Sequence, residues 1–218
     1  MRAAYHLPQD DDPKRASAAP SWGSFAIVPA AGRSQRMGRP KLLLPWGSST
    51  VIEHVLAAWK ASRVSAVIVT VHPDDDVLIA RCRAAGADVV IVDPPPADMK
   101  ASVAAGLAYA EAAYHPARAD AWLLAPADMP RLNARLIEQL LSAHKLHDPR
   151  VLVPTAAGRR GHPVLFPWPL AAEVSKLTAQ QGIDALVAAA HAREIDCDEL
   201  TAFADLDTPD DYERLRRG

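Results

Sequence analysis

Short apolar runs alternate with helical patterns along the first 150 residues, and this rhythm restricts the chain more than any other feature. Phe25-Ala26-Ile27-Val28, Ser65-Ala66-Val67-Ile68-Val69-Thr70, Ala87-Asp88-Val89-Val90-Ile91-Val92 and Ala121-Trp122-Leu123-Leu124-Ala125 are runs rather than in-out alternations. That pattern suits strands buried on both faces. Between them, Val51, Val55, Leu56 and Trp59 share one helical face, and Val77, Leu78, Ala80 and Ala84 recur at helical spacing. An alanine-rich stretch from Ser102 to Tyr114 favours helix. Leu132, Leu136, Leu140 and Leu141 stripe another helix after Pro130. Strands and helices joined by short connections predict a three-layer α/β domain with a mainly parallel, Rossmann-like sheet.

After residue 150 the expected order is a strand at 151–154, a Gly/Arg-rich loop to Pro163 and a strand at 164–166. Helices near 170–177 and 182–190, a strand at 192–197, an extended stretch at 202–207 and a helix at 209–216 follow. Residues 1–23 read as a tail without periodicity, and 24–218 as one domain.

Composition closes off several classes. The formal charge of −2 argues against bulk capture of nucleic acid or an anionic membrane. Two cysteines make no disulfide framework. No apolar run reaches the ~18 residues of a membrane span, and the start lacks the apolar core of a signal peptide. The expected location is the cytoplasm.

The loop after the first run carries the strongest local signal. Gly32 and Gly38 permit a tight path with N–H groups turned to a ligand, and Arg33, Arg36, Arg39 and Lys41 place four cations in nine residues. A loop at the carboxyl end of a parallel strand is also where open α/β sheets bind ligands. A phosphate cradle and a solvated basic loop are both consistent with this. Neither a Walker A loop nor a dinucleotide fingerprint is present. Asp128, just past the fourth run, suits either a metal ligand or a helix cap. Asp205 and Asp207 lie at alternate positions of the extended stretch and point the same way if it is a strand. Thr208 is a candidate cap, with Asp210 and Asp211 in the first turn after Pro209.

The full wording goes further. Pro29-Ala30-Ala31-Gly32-Arg33-Ser34-Gln35-Arg36-Met37-Gly38-Arg39-Pro40-Lys41, followed by Leu44-Pro45-Trp46-Gly47, closely resembles the signature of the MobA-like nucleotidyltransferases. The Ala-Ala-Gly and Arg-Pro-Lys forms look most like the molybdenum cofactor cytidylyltransferases. The resemblance continues at Ala101-Ser102 to Gly106-Leu107, Ala125 to Pro130, Gly161-His162-Pro163 and Asp205 to Tyr212, and spans residues 24–214. Pro29, Pro126-Ala127 before Asp128, and Lys100 depart from the family's usual residues.

The resemblance implies a nucleotide-diphospho-sugar transferase type of fold and transfer of CMP from CTP to the phosphate of molybdopterin. Another NTP, a sugar or polyol phosphate acceptor, and a non-catalytic carrier of the cofactor remain alternatives. It implies Mg²⁺ on Asp128 with one of Asp205 and Asp207, of which Asp207 is favoured. Lys41, Arg36 and Asp128 take the catalytic roles. Nucleotide contacts fall to Ala30, Ala31, Gly32, Arg33, Ser34, Arg36, Met37, Gly38 and Lys41. Ser102 is read either as a nucleotide contact or as a cap of its helix. Arg159, Arg160, Gly161 and His162 border the acceptor, or form a turn with two exposed arginines. A molybdoenzyme or its chaperone is the implied macromolecular partner.

Overall fold

The structure is a computed structural model and describes residues 22–146, 148–198 and 200–217. Most of the expected tail therefore lies outside the described residues. Its last two positions do not behave as a tail. Trp22 packs edge-on against His144 at 4.5 Å, and the Gly23 N–H donates to Asp120 Oδ1 at 2.7 Å.

In chain order the elements are β1 (Ser24–Pro29), a hairpin of β2 (Pro45–Trp46) and β3 (Ser49–Thr50), α1 (Val51–Lys60), β4 (Ala66–Val71) and α2 (Asp76–Ala84). Then come β5 (Asp88–Ile91), α3 (Met99–Tyr114), β6 (Ala121–Leu124), α4 (Ala134–Ala143), β7 (Leu152–Ala156) and β8 (Arg159–Arg160). The chain finishes with β9 (Val164–Pro167), α5 (Ala171–Val174), α6 (Asp184–Ala189), β10 (Arg193–Asp196) and α7 (Pro209–Arg217). The main sheet runs β10-β7-β9-β6-β1-β4-β5, with β8 added to β7. It is parallel through β6, β1, β4 and β5 and again between β10 and β7, while β9 runs antiparallel to both its neighbours.

Helices cover both faces. Alternate residues of β1 supply the two cores. Ala26 and Val28 face a cluster built with α1 and α4, whereas Phe25 and Ile27 face one built with α3, α5 and α6. This two-sided burial is why the strands read as apolar runs. Thr50 and Glu53 start α1 as a capping box, the Thr50 N–H donating to Glu53 at 2.9 Å. On the other face α3 lies very close to the sheet. A Cβ at Gly106 would come within 3.0 Å of Ile27 and 3.2 Å of Thr70. That approach brings the start of α3 over the carboxyl ends of β1 and β4.

Three expectations need correction. Residues 202–207 are not a strand: Leu200–Phe203 is a 3-10 turn, followed by irregular chain. Ala202 and Leu206 are the buried positions, so the stretch buries every fourth residue rather than every second. Ser102 does not begin its helix, because Asp98 is the cap and accepts the Ala101 N–H at 2.8 Å. The loop after residue 155 contains β8, paired back onto β7 through Ala157 and Gly158, both at positive φ.

Candidate active site

The carboxyl ends of β1 and β6 bring the site together. After β6 the chain stays on β1: Ala125 N–H donates to Ile27 O and Ala127 N–H to Pro29 O, both at 3.4 Å. Asp128 is thereby held at the mouth of the glycine loop. The Leu206 N–H donates to the Asp128 carbonyl at 2.9 Å, which pins the irregular 204–207 stretch beside it. Asp205 and Asp207 flank that bond, so they reach the site without the strand geometry expected for them.

The cations of the loop are each committed. Lys41 Nζ donates to Asp128 Oδ2 and, at 3.1 Å, to Asp207 Oδ1. Burial works against the charge on Lys41, but the two carboxylates outweigh it and hold the ammonium above the usual lysine range. Arg36 reaches the other oxygen of Asp207 at 3.0 Å. Arg33 points outward to His72 Nε2 at 2.8 Å and Asp74 at 3.2 Å. Arg39 lies over the Tyr212 ring at 5.7 Å, an attraction between cation and ring face. The loop is thus a set of tied side chains rather than a free basic surface.

Backbone geometry does what the glycines suggested. Ser34, at φ 49°, accepts the N–H groups of Met37 and Gly38 on its carbonyl and that of Lys41 on its hydroxyl. The N–H groups of Ala31, Gly32 and Arg33 bond to no described residue. They border a cleft of about 430 Å³ whose opposite wall is the 95–99 loop and the first turn of α3. Ala30, Ala31, Gly32, Arg33, Lys41 and Ser102 line this cleft, together with Asp128. Ser34, Arg36, Met37 and Gly38 do not line it. Ser34 braces the loop and Met37 turns into the core. Lys100 is turned away, donating to the carbonyls of Thr178 and Gln181.

On the other side of the carboxylates lies a second cavity, about 510 Å³, with Arg131, Arg159 and Arg214 in its wall beside Asp205 and Asp207. Of the Gly-Arg-Arg-Gly-His segment, only Arg159 faces it. Arg160 pairs with Glu194 at 2.9 Å. Gly161 is packed flat against Phe203. His162 is partly buried near Asp128. Burial lowers its pKa more than Asp128 raises it, so the imidazole is neutral at pH 7. Asp205, though open to solvent on one side, is pushed up to about 6 by desolvation and by the Asp128 and Asp207 charges. Asp211 is structural: its carboxylate accepts the Thr208 N–H and hydroxyl at 3.0 and 2.7 Å, closing the start of α7. Asp128 caps nothing, since Asn133 caps α4.

The donor set fits a hard divalent cation. Asp128 Oδ1 is buried and has no hydrogen-bond partner among the described residues. A buried carboxylate oxygen without a partner is costly unless a ligand completes it. No group of three His, Cys, Asp or Glu side chains among the described residues makes a closed metal cage. Two carboxylates with phosphate and water oxygens is the arrangement Mg²⁺ accepts. His72, just past the end of β4, lines the cleft and bonds Arg33. Flanked by Val71 and Pro73 and without a metal-type spacing, it leaves no signal in the sequence.

Comparison with known proteins gives the family. The family profile of the MobA-like NTP transferase domain matches residues 26–195. The molybdenum cofactor cytidylyltransferase of Escherichia coli (strain K12) is 27% identical over 190 residues, covering 85% of this chain and 92% of that protein. The probable molybdenum cofactor guanylyltransferase of Mycobacterium avium (strain 104) is 26% identical over 196 residues, covering 87% and 93%. The crystal structure of Rv0371c from Mycobacterium tuberculosis H37Rv superposes with a TM-score of 0.74 at 28% identity, over 90% of this chain and 99% of that one. A second structure of Rv0371c, a complex with manganese, gives 0.67 at 27% identity, covering 90% and 99%. No helix among the described residues is long and apolar enough to cross a membrane.

Proposed function

The chain belongs to the MobA-like NTP transferase family and is a nucleotidyltransferase; on that premise we propose that it transfers CMP from CTP to the terminal phosphate of a molybdopterin-type acceptor, releasing pyrophosphate. The observation that carries the reading is the placement of Lys41, Asp128 and Asp207 between two cavities, one bordered by free backbone N–H groups and the other by arginines.

In this reading the triphosphate lies along the N–H groups of residues 31–33, which are fixed before it arrives and so cost no reorganisation. Lys41 turns from the carboxylates to the β- and γ-phosphates and steadies the departing pyrophosphate. Arg36 adds charge at the solvent side. The base fills the inner end of the cleft against Ala31 and the 95–99 loop. The Ala31 methyl, buried at the cleft wall, narrows the space for the base and favours the smaller one.

The acceptor enters from the arginine-lined cavity, where Arg159 and Arg131 hold its phosphate by paired N–H donors. Its phosphate oxygen attacks the α-phosphorus in line, and the bond to the bridging oxygen of pyrophosphate breaks. No general base is required, because a phosphate monoester is already ionised near neutral pH. His162, beside Asp128 and outside the wall of that cavity, is not needed as a base. Asp128 and Asp207 would hold Mg²⁺, which when bound neutralises charge on the phosphate oxygens. Position and electrostatics supply most of the catalysis.

Isothermal titration with CTP, GTP, ATP and UTP in Mg²⁺ tests the base assignment. CTP is expected to bind tightest, and Ala31→Gly to narrow the gap to GTP. Tightest binding of GTP to the unaltered protein would overturn the Ala31 argument and move the reading to guanylyl transfer.

A further inference from the structure

Lys41 is more than a phosphate contact waiting for substrate. Its ammonium bridges Asp128 Oδ2 and Asp207 Oδ1, one oxygen from each carboxylate. The remaining oxygen of Asp207 is taken by Arg36 at 3.0 Å, from a side chain that is 74% exposed. The remaining oxygen of Asp128 is buried and unpaired among the described residues. A divalent cation bound to both carboxylates, whether through Asp128 Oδ2 or through its unpartnered Oδ1, would lie within a few ångström of the ammonium. Two cations that close repel strongly.

The backbone of Lys41 cannot withdraw to make room. Leu42 and Leu44 are buried in the core on its carboxyl side, and its N–H is held by Ser34 Oγ at 3.3 Å. Only the side chain can move, and it needs another anion to move to. The cleft wall that Lys41 itself lines provides the place for one, beside the free N–H groups of residues 31–33.

We infer that Lys41 acts as a built-in competitor for the metal site, so that a divalent cation is held tightly only once a triphosphate has drawn the ammonium off Asp128 and Asp207. Metal and nucleotide then bind with positive coupling, and the coupling is reciprocal. Metal without nucleotide is discouraged, which keeps the carboxylates neutralised by a mobile group of the protein rather than by a tightly held ion. The inference rests on the reading that Asp128 and Asp207 form the metal site.

The test uses Mn²⁺ alone, with no nucleotide and no turnover. Free Mn²⁺ is read by electron paramagnetic resonance during titration of the full chain and of its Lys41→Met and Lys41→Gln variants. Folding of each is checked by circular dichroism, and the glutamine variant keeps an N–H donor, one bond shorter, while losing the charge. Both variants are expected to bind Mn²⁺ at least about tenfold more tightly than the unaltered protein, since a cation bound to the same two carboxylates is gone. Adding Asp128→Asn to either variant should abolish the gain. If the Lys41 variants bind no more tightly, while Asp128→Asn weakens whatever binding exists, the competitor role is wrong and the metal site stands. If Mn²⁺ binding ignores Asp128→Asn in every background, the metal assignment itself fails and this inference falls with it.

Discussion

Replacing Gly161 with Ala should damage the site through a residue that lines neither cavity. A Cβ built on Gly161 falls 2.2 Å from Phe203 Cγ and 2.4 Å from both Cδ atoms. Ordinary carbon contacts begin near about 3.5 Å, so the ring must retreat by at least about 1.3 Å. Spinning the ring does not help, because Cγ on its own axis is the nearest atom. Gly161 is itself fixed by its N–H bond to Pro154 O at 2.9 Å. The ring must swing away about χ1 or the 3-10 turn ending at Phe203 must move, and that turn feeds the 204–207 stretch that carries Asp207 and the Leu206 bond to Asp128. Overpacking of this kind costs about 1–3 kcal/mol, which for a domain of this size lowers Tm by about 2 to 12 °C. A shift near 1 Å at Asp207 would lower turnover by about 10²-fold. Thermal unfolding and pyrophosphate release at saturating triphosphate measure the two effects. Phe203→Ala in the same background removes the obstacle, so the double variant should be more stable than the sum of the two single changes allows, by about 1 kcal/mol or more. A Gly161→Ala protein with unaltered Tm and turnover, or a strictly additive cycle, would refute the reasoning.

Lys41→Ala is expected to lower turnover by about 10²-fold or more, and a loss under about tenfold would count against its role on the phosphates. Asp205 titrates near 6 when folded, above its ordinary 3.8, so the folded state holds a proton that the unfolded chain has released. Its favourable contribution is complete below the ordinary value and is lost as pH rises through about 6. Asp205→Asn should therefore raise Tm relative to the unaltered protein at about pH 7.5 in EDTA, with the gap closing toward pH 4; a gap independent of pH contradicts the assignment. Tyr212→Phe removes the bond from the phenol to Pro45 O at 2.7 Å and should cost about 1 kcal/mol, seen as a fall of about 2–4 °C in Tm.

Strands β1, β4 and β6 were legible because burial on both faces writes itself as an apolar run, and the half-buried edge strand β5 because of its β-branched residues. The signature loop was legible because its glycines and cations lie close together in the chain. Pairings between distant residues left no such mark. Nothing near Arg33 announces His72 and Asp74, and nothing near Arg39 announces Tyr212, since those contacts exist only after β1, β4 and α7 come together. β9 was legible as a strand at 164–166, but its antiparallel direction and its place between β6 and β7 were not, because the direction of a strand is set by its connection and not by its composition. Thr50 and Glu53, three residues apart, form the capping box that starts α1. At 202–207 the extended reading failed because Ala202 and Leu206, not alternate residues, are the ones buried. The pairing of Asp207 with Lys41 follows from the backbone bond between Leu206 and Asp128, a contact across the fold that local pattern does not encode.

The central claim, transfer of a cytidylyl group, is tested most directly by following the α-phosphorus. CTP labelled at that position is incubated with the full chain, Mg²⁺ and a molybdopterin acceptor. The account predicts that the label moves to the acceptor, with one pyrophosphate released per label transferred, and that Asp128→Asn stops both. Label that stays in CTP or appears as free CMP, with the acceptor unchanged, would contradict it.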